Sequence, residues 1–323
     1  MTDTELFLEG VGFLLGLGGL YLGAEGFVRG AARLAELLGI SRWVIGLTLV
    51  AFGTSAPELA VSLLAALRGT PDLAVGNVVG SNVANIGLIL AIAALLRPLE
   101  VRSSLVRREV PFMLVISLLF YGLALNGQIS RLDGGVLVVA LGVFLGLMYI
   151  YRAEGLLDED SPKRPVPARE GKGRAVGINA LLALGGLLVL LGGARLLVDS
   201  AVTLARALGV SEGVIGLSLV AVGTSLPELA TTVVATLRRE MAISVGNIVG
   251  SNIFNLLSVV GIVALVHPLP ILPAWLTREI PFMLLFSFAL LPLLGIGSRP
   301  RVERWEGALL LLGYIGFLLW LFR

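Results

Sequence analysis

The sequence predicts an all-α integral membrane protein: ten transmembrane helices, arranged as two five-helix repeats of inverted topology. Three observations carry this expectation. Hydrophobic residues make up 57% of the chain and charged residues 14%, with a mean hydropathy of +0.96; soluble domains carry about 25% charged residues. Apolar runs recur at the ~20-residue length that crosses a bilayer as a helix. Finally, residues 46–90, reading GLTLVAFGTSAPELAVSLLAALRGTPDLAVGNVVGSNVANIGLIL, return at 216–260 as GLSLVAVGTSLPELATTVVATLRREMAISVGNIVGSNIFNLLSVV, an offset of 170 residues without a gap.

Taken in order, the spans fall near 5–32, 43–66, 73–96, 109–126, 134–151, 176–204, 213–236, 243–266, 280–296 and 304–322. The N-terminal MTDTELFLEG is acidic and lacks the basic start of a cleaved signal, so the first apolar run is expected to be a permanent span. Residues 152–175, RAEGLLDEDSPKRPVPAREGKGRA, form the one long polar connection and read as a linker rich in Pro, Gly and charge. They divide the chain into a first repeat, 1–151, and a second, 176–323. The repeat extends beyond its central stretch: Gly23-Ala24 matches Gly193-Ala194, and Arg108 to Met113 matches Arg278 to Met283. A long internal repeat implies equivalent halves. Five spans per half is an odd number, so the second half must enter the membrane upside down, a recurrent transporter design.

Basic residues orient the bundle. With the N-terminus outside, the inner connections hold Arg33, Arg42, Arg97, Arg102, Arg107, Arg108, the six Lys and Arg of 152–175, Arg238, Arg239, Arg299, Arg301 and Arg304. The outer connections and terminus hold Arg68, Arg131, Arg206, Arg278 and Arg323. The bias predicts both termini outside and the linker in the cytoplasm, in the inner (plasma) membrane of the cell.

The chemistry lies in the repeated motif. Pro57 lacks an amide hydrogen, and its ring clashes with the carbonyl of Gly53, so the second span should break or kink there. Thr54 or Ser55 can cap a new half-helix that carries Pro57 and Glu58 in its first turn. Carbonyls near Ala51–Thr54 lose partners, and carbonyl and hydroxyl oxygens are hard ligands suited to Na⁺ or Ca²⁺. Gly223-Thr224-Ser225-Leu226-Pro227-Glu228 repeats each feature. A carboxylate at the bilayer centre costs about 2.5–3.5 kcal/mol on insertion scales. Two at equal depth also repel, and a cation between Glu58 and Glu228 relieves both problems. The bland alternative is a pair of structural carboxylates, protonated or paired with an arginine such as Arg29 or Arg195.

Asn77, Ser81 and Asn85 follow at i, i+4, i+8 on one helical stripe, as do Asn247, Ser251 and Asn255. Ser81, Asn85, Ser251 and Asn255 are expected to ligate the ion or hold its ligands. Asn77, Asn82, Asn247 and Asn252 are read as helix-to-helix hydrogen-bonding residues. Arg108–Glu109 and Arg278–Glu279 read as interfacial anchors, Trp305 and Trp320 likewise, and Glu25 and Asp199 as solvated charges near span ends. There are no cysteines and one histidine, which removes thiol chemistry and His-rich metal sites. No nucleophile–base pair, phosphate loop or nucleic-acid patch is visible, so neither an enzyme nor a resident cofactor is expected.

These motifs, GTSAPE with GNVVGSNVAN and GTSLPE with GNIVGSNIFN, resemble the two α-repeats of the cation/Ca²⁺ antiporter superfamily, most closely its prokaryotic Na⁺/Ca²⁺ exchangers. The resemblance covers nearly the whole chain. It implies exchange of Ca²⁺ for Na⁺ by alternating access. It further implies a Ca²⁺ site built from Glu58, Glu228 and the carbonyls of Thr54 and Thr224. Flanking Na⁺ sites would draw on Ser55, Ser225, Ser81, Ser251 and the carbonyls of Ala51 and Ala221. The first and sixth spans would slide past the rest of the bundle. Asn255 departs from relatives, K⁺-dependent exchangers among them, that carry aspartate there; this argues against K⁺ co-transport. Val78 and Ile248 lack the carboxylate of the Ca²⁺/H⁺ branch. Ca²⁺/H⁺ exchange is the alternative reading, a passive cation channel a further one, and a ten-helix bundle can function as a monomer.

Overall fold

The computed structural model describes residues 3–100, 108–153, 172–209, 221–295 and 301–321. Among the described residues, ten principal helices stand out beside shorter helical turns: α1 (Asp3–Leu38), α2 (Arg42–Leu67), α3 (Pro71–Leu96), α4 (Glu109–Ala124), α5 (Arg131–Ala153), α6 (Lys172–Ala207), α7 (Leu226–Leu237), α8 (Met241–Val266), α9 (Glu279–Gly295) and α10 (Arg304–Leu321). All but α4 and α7 lie in segments long and apolar enough to cross a membrane, and those two are shorter apolar helices. Most of the linker, residues 154–171, lies outside the described residues. So do 213–220 of the seventh span, and with them 216–220 of the second repeat, as well as Arg102, Arg107, Arg299 and Arg323.

The inversion is visible in the loops. Strand β1 (Leu99–Glu100) pairs antiparallel with β4 (Arg301–Val302), and β2 (Gln128–Ile129) with β3 (Leu269–Pro270). The first pair joins the α3–α4 and α9–α10 connections. The second joins the α4–α5 and α8–α9 connections. Only an inverted second half puts each pair of connections on the same membrane face.

The first and sixth spans are longer than the sequence reading, at 36 residues each. At 1.5 Å per residue each is about 54 Å long, so both tilt or extend beyond a ~30 Å hydrocarbon core. They pack against one another through glycine and alanine. A Cβ on Gly23 would lie 2.3 Å from the Leu190 amide nitrogen, and one on Gly186 would lie 2.3 Å from that of Phe27. Lipid offers no hydrophobic drive for helix pairing, so close backbone approach supplies the attraction.

Of the remaining helices, α2, α3 and α8 are the most buried, and α7 packs against α1. The start of α2 is capped by Ser41, whose hydroxyl accepts from the Val44 amide at 3.2 Å. It then runs through a π-helical turn at Gly46–Val50 that presses on α8 of the other half. A Cβ on Gly250 there would fall 2.4 Å from the Leu47 carbonyl oxygen. Further π turns occupy Asn85–Leu90 in α3 and Asn255–Val260 in α8. Such turns are rare and cluster at functional sites; apolar periodicity carries no mark of them. Leu47, Val83, Ile86, Ile89, Ile253 and Leu256 are buried around these elements.

At Pro57 the α2 helix kinks but does not part. Ser55 takes φ −79°, ψ 2°, and its amide still donates to the Ala51 carbonyl at 3.0 Å. The expected side-chain cap is absent at Ser55 and at Ser225. Their hydroxyls are drawn to a tertiary partner instead.

Candidate cation-binding site

Each motif glutamate lies in the first turn of its half-helix, Glu58 in α2 and Glu228 in α7, and both are buried. The serine of each motif reaches the glutamate of the other. Ser55 Oγ donates to Glu228 Oε1 at 3.3 Å, and Ser225 Oγ donates to Glu58 Oε1 at 3.4 Å with Ser81 Oγ 3.2 Å away. The two halves therefore meet at one polar centre, and six of the expected residues, Glu58, Glu228, Ser55, Ser225, Thr54 and Ser81, are linked through it or border it.

Both glutamates and three of the remaining expected residues also carry buried oxygens without hydrogen-bond partners. They are Glu58 Oε2, Glu228 Oε2, Ser251 Oγ, Asn85 Oδ1 and Asn255 Oδ1; Asn85 Nδ2 is unpartnered as well. Leaving a buried polar atom unpaired costs about 1–3 kcal/mol, more for a charged group. Two of these five oxygens belong to the buried carboxylates themselves and three to residues of the repeated motifs; all are hard oxygen donors of the type that suits Na⁺ or Ca²⁺. Asn85 and Asn255 each open a π turn. No group of three or more His, Cys, Asp or Glu side chains that could hold a metal is found among the described residues. Of the expected site residues, only the two glutamates can carry charge; the others offer neutral oxygens.

The carbonyls are less uniform. Ala51 O accepts from the Ser55 amide, with Thr54 Oγ1 at 3.3 Å. Contrary to the expectation that it is freed, this carbonyl therefore keeps its usual amide partner, and the Thr54 hydroxyl lies within hydrogen-bond distance of its second lone pair. In the second half the Ser225 amide donates to Val222 O at 3.1 Å. The carbonyl left without an amide by proline is that of Gly53, four residues before Pro57.

Neither Arg29 nor Arg195 reaches the glutamates. Arg29 pairs with Glu25 at 2.7 Å, and Arg195 with Asp199 at 3.7 Å. Glu25 is more than a solvated end charge: it also pairs with Arg238 at the end of α7. Nearby, Arg42 bridges Glu36 at 2.5 Å and Glu240 at 2.9 Å, joining the first half to the second. Glu109 departs from the anchor reading, since it is buried and neither carboxylate oxygen is hydrogen-bonded. Its place in the repeated Arg-Glu-x-Pro-Phe-Met segment was the available signal.

The family model for sodium/calcium exchanger proteins matches residues 9–150 and 178–323. The chain belongs to the sodium/calcium exchanger family. It is 40% identical over 301 residues to inner membrane protein YrbG of Escherichia coli, covering 93% of this chain and 92% of that one. It is 36% identical over 343 residues to sodium/calcium exchanger MaX1 of Methanosarcina acetivorans, covering 96% and 97%. Among solved structures, the sodium-calcium exchanger NCX_Mj, soaked with 2.5 mM Na⁺ and 0.1 mM Ca²⁺, superimposes with a TM-score of 0.82 at 32% identity, covering 96% of this chain and 97% of that chain. This family member is thus a multi-pass cation/Ca²⁺ antiporter of a transporter family.

Proposed function

We propose that the protein is a secondary antiporter that exchanges Na⁺ for Ca²⁺ by alternating access at one site near the membrane midplane. The observation that carries the reading is the crossed Ser55–Glu228 and Ser225–Glu58 pairing, with one buried oxygen of each carboxylate unpartnered. Glu58 and Glu228 balance a divalent ion, together with the Thr54 and Thr224 carbonyls. Ser55, Ser81, Ser225, Ser251, Asn85, Asn255 and the carbonyls of Ala51 and Ala221 complete the oxygen set and serve Na⁺. Because the same carboxylates serve both cargoes, binding is mutually exclusive, which makes exchange obligatory. The name of MaX1 and the likeness to NCX_Mj support Na⁺ as the coupling ion.

The two repeats, 1–151 and 176–323, supply the two faces of the site, with the 152–175 linker in the cytoplasm and both termini outside. The glycine-packed α1–α6 pair moves as one body against the rest. The protein works as a monomer in the inner membrane, a location that fits the name of the Escherichia coli relative.

The test is ⁴⁵Ca²⁺ uptake into vesicles containing the purified protein. Uptake should require an outward Na⁺ gradient and vanish in Glu58→Gln and in Glu228→Gln. Uptake driven by a pH gradient without Na⁺ would replace Na⁺ coupling by H⁺ coupling. Wild-type uptake in both variants would remove the site itself.

A further inference from the structure

We propose that Asn77 and Asn247 are positioning residues that set the spacing between the two halves of the cation site. The inference rests on the site reading above and extends it to two side chains outside the ligand set. Asn77, on α3, donates from Nδ2 to the backbone carbonyl of Glu58 at 3.3 Å and lies 3.0 Å from Ser62 Oγ, both in α2. Its Oδ1 accepts from the Thr224 hydroxyl of the opposite half at 3.1 Å. Asn247, on α8, repeats the pattern. Its Nδ2 is 3.5 Å from the Glu228 carbonyl and 3.0 Å from Thr232 Oγ1, and its Oδ1 accepts from the Thr54 hydroxyl at 3.2 Å.

Each amide therefore touches the first turn that carries one glutamate and the threonine that precedes the serine serving that same glutamate. Asn77 bridges Glu58 to Thr224, next to Ser225, which donates to Glu58 Oε1. Asn247 bridges Glu228 to Thr54, next to Ser55, which donates to Glu228 Oε1. Glu58 and Thr224 are 166 residues apart in sequence, so no local backbone constraint fixes their separation. The primary amide is suited to the task because it offers donor and acceptor on one rigid plane. Not every motif asparagine makes such a link: Asn252, read from sequence as a helix-joining amide, instead donates from Nδ2 to Ile248 O of its own helix. The consequence is that the threonine carbonyls, proposed ligands, are aimed by their own side-chain hydroxyls.

The experiment removes the hydroxyl and leaves the carbonyl. Thr224→Val and Thr54→Val, with Thr224→Ser and Thr54→Ser as hydroxyl-restoring partners, are purified beside Asn77→Leu and Asn247→Leu. Ca²⁺ binding is titrated calorimetrically, and Na⁺-driven ⁴⁵Ca²⁺ uptake is measured per folded molecule. Loss of a hydrogen bond of ordinary strength predicts a roughly fivefold to tenfold weaker Ca²⁺ half-saturation in each valine or leucine variant. The serine variants should return to within about twofold of wild type. Asn77→Leu combined with Thr224→Val should be no weaker than the weaker single variant, because both remove one shared bond. If Asn247→Leu does not fold, the Thr54→Val and Thr54→Ser pair decides for that half. Lower yield or maximal rate with unchanged half-saturation would overturn the proposal, as that is what a purely structural amide gives. Glu58→Gln separates the two levels. If it loses Ca²⁺ binding while the valine variants keep it, only the positioning role falls; if it binds Ca²⁺ normally, the site reading falls too.

Discussion

Two neighbouring glycines on α6 offer a sharp test of how the long helices are held. Gly186 faces α1: a Cβ there would meet Phe27 N at 2.3 Å, Gly26 C at 2.7 Å and Gly23 O at 2.9 Å, all backbone atoms. Gly185, one residue earlier, would meet nothing within 4 Å. Ordinary contact begins near 3.4 Å, so Gly186→Ala must drive the helices apart by about 1.1 Å. No rotamer change can absorb this. Both substitutions gain the same helix propensity, about 0.8–1.0 kcal/mol over glycine. The difference between them therefore isolates the packing cost, expected at the upper end of overpacking, about 3 kcal/mol. Thermal unfolding of the detergent-purified protein, followed by loss of the monodisperse size-exclusion peak, should show Gly185→Ala at or above wild type and Gly186→Ala several degrees below it. Equal stability of the two variants would refute the argument that backbone contact joins α1 to α6.

Three further outcomes are expected. In ion-free buffer Glu228→Gln should be at least as stable as wild type, because it removes a buried carboxylate whose Oε2 has no partner; added Ca²⁺ at a hundredfold excess over its wild-type dissociation constant should stabilise wild type by about 2.7 kcal/mol and the variant by much less, read as thermal shifts. Gly250→Ala, whose Cβ would sit 2.4 Å from Leu47 O and 2.6 Å from Ala51 Cβ, should displace α8 from the π turn of α2 and depress Ca²⁺ uptake more than protein yield. Arg239 holds φ 63°, where its repeat counterpart is Gly69 at φ 80°; Arg239→Gly should raise the unfolding free energy by about 1 kcal/mol, measured by thermal denaturation, since glycine accepts the left-handed conformation without steric cost.

Much of this protein was legible in one dimension. Hydropathy reveals the membrane class because only helices and closed barrels satisfy the backbone in lipid. The 170-residue offset then equates helices of the two halves, and an odd number of spans per half requires inversion. Glu58 and Glu228 announce themselves because a carboxylate in an apolar run is costly and needs a reason. Pro57 marks the kink through its missing amide hydrogen.

Tertiary structure decided what each side chain does there. Ser55 and Ser225 have the identity and position of helix caps, yet across the interface each finds a buried carboxylate, a stronger acceptor partner than a local amide is a donor. Asn77 and Asn247 look like any helix-joining amides until the opposite threonine is brought beside them. The π turns at Asn85 and Asn255 and the backbone contact of Gly186 with Phe27 are likewise products of packing. Local sequence sets which groups are costly to bury and where the chain bends. Which group satisfies which depends on residues more than 160 positions away, and only the folding of two inverted halves onto one another brings those together.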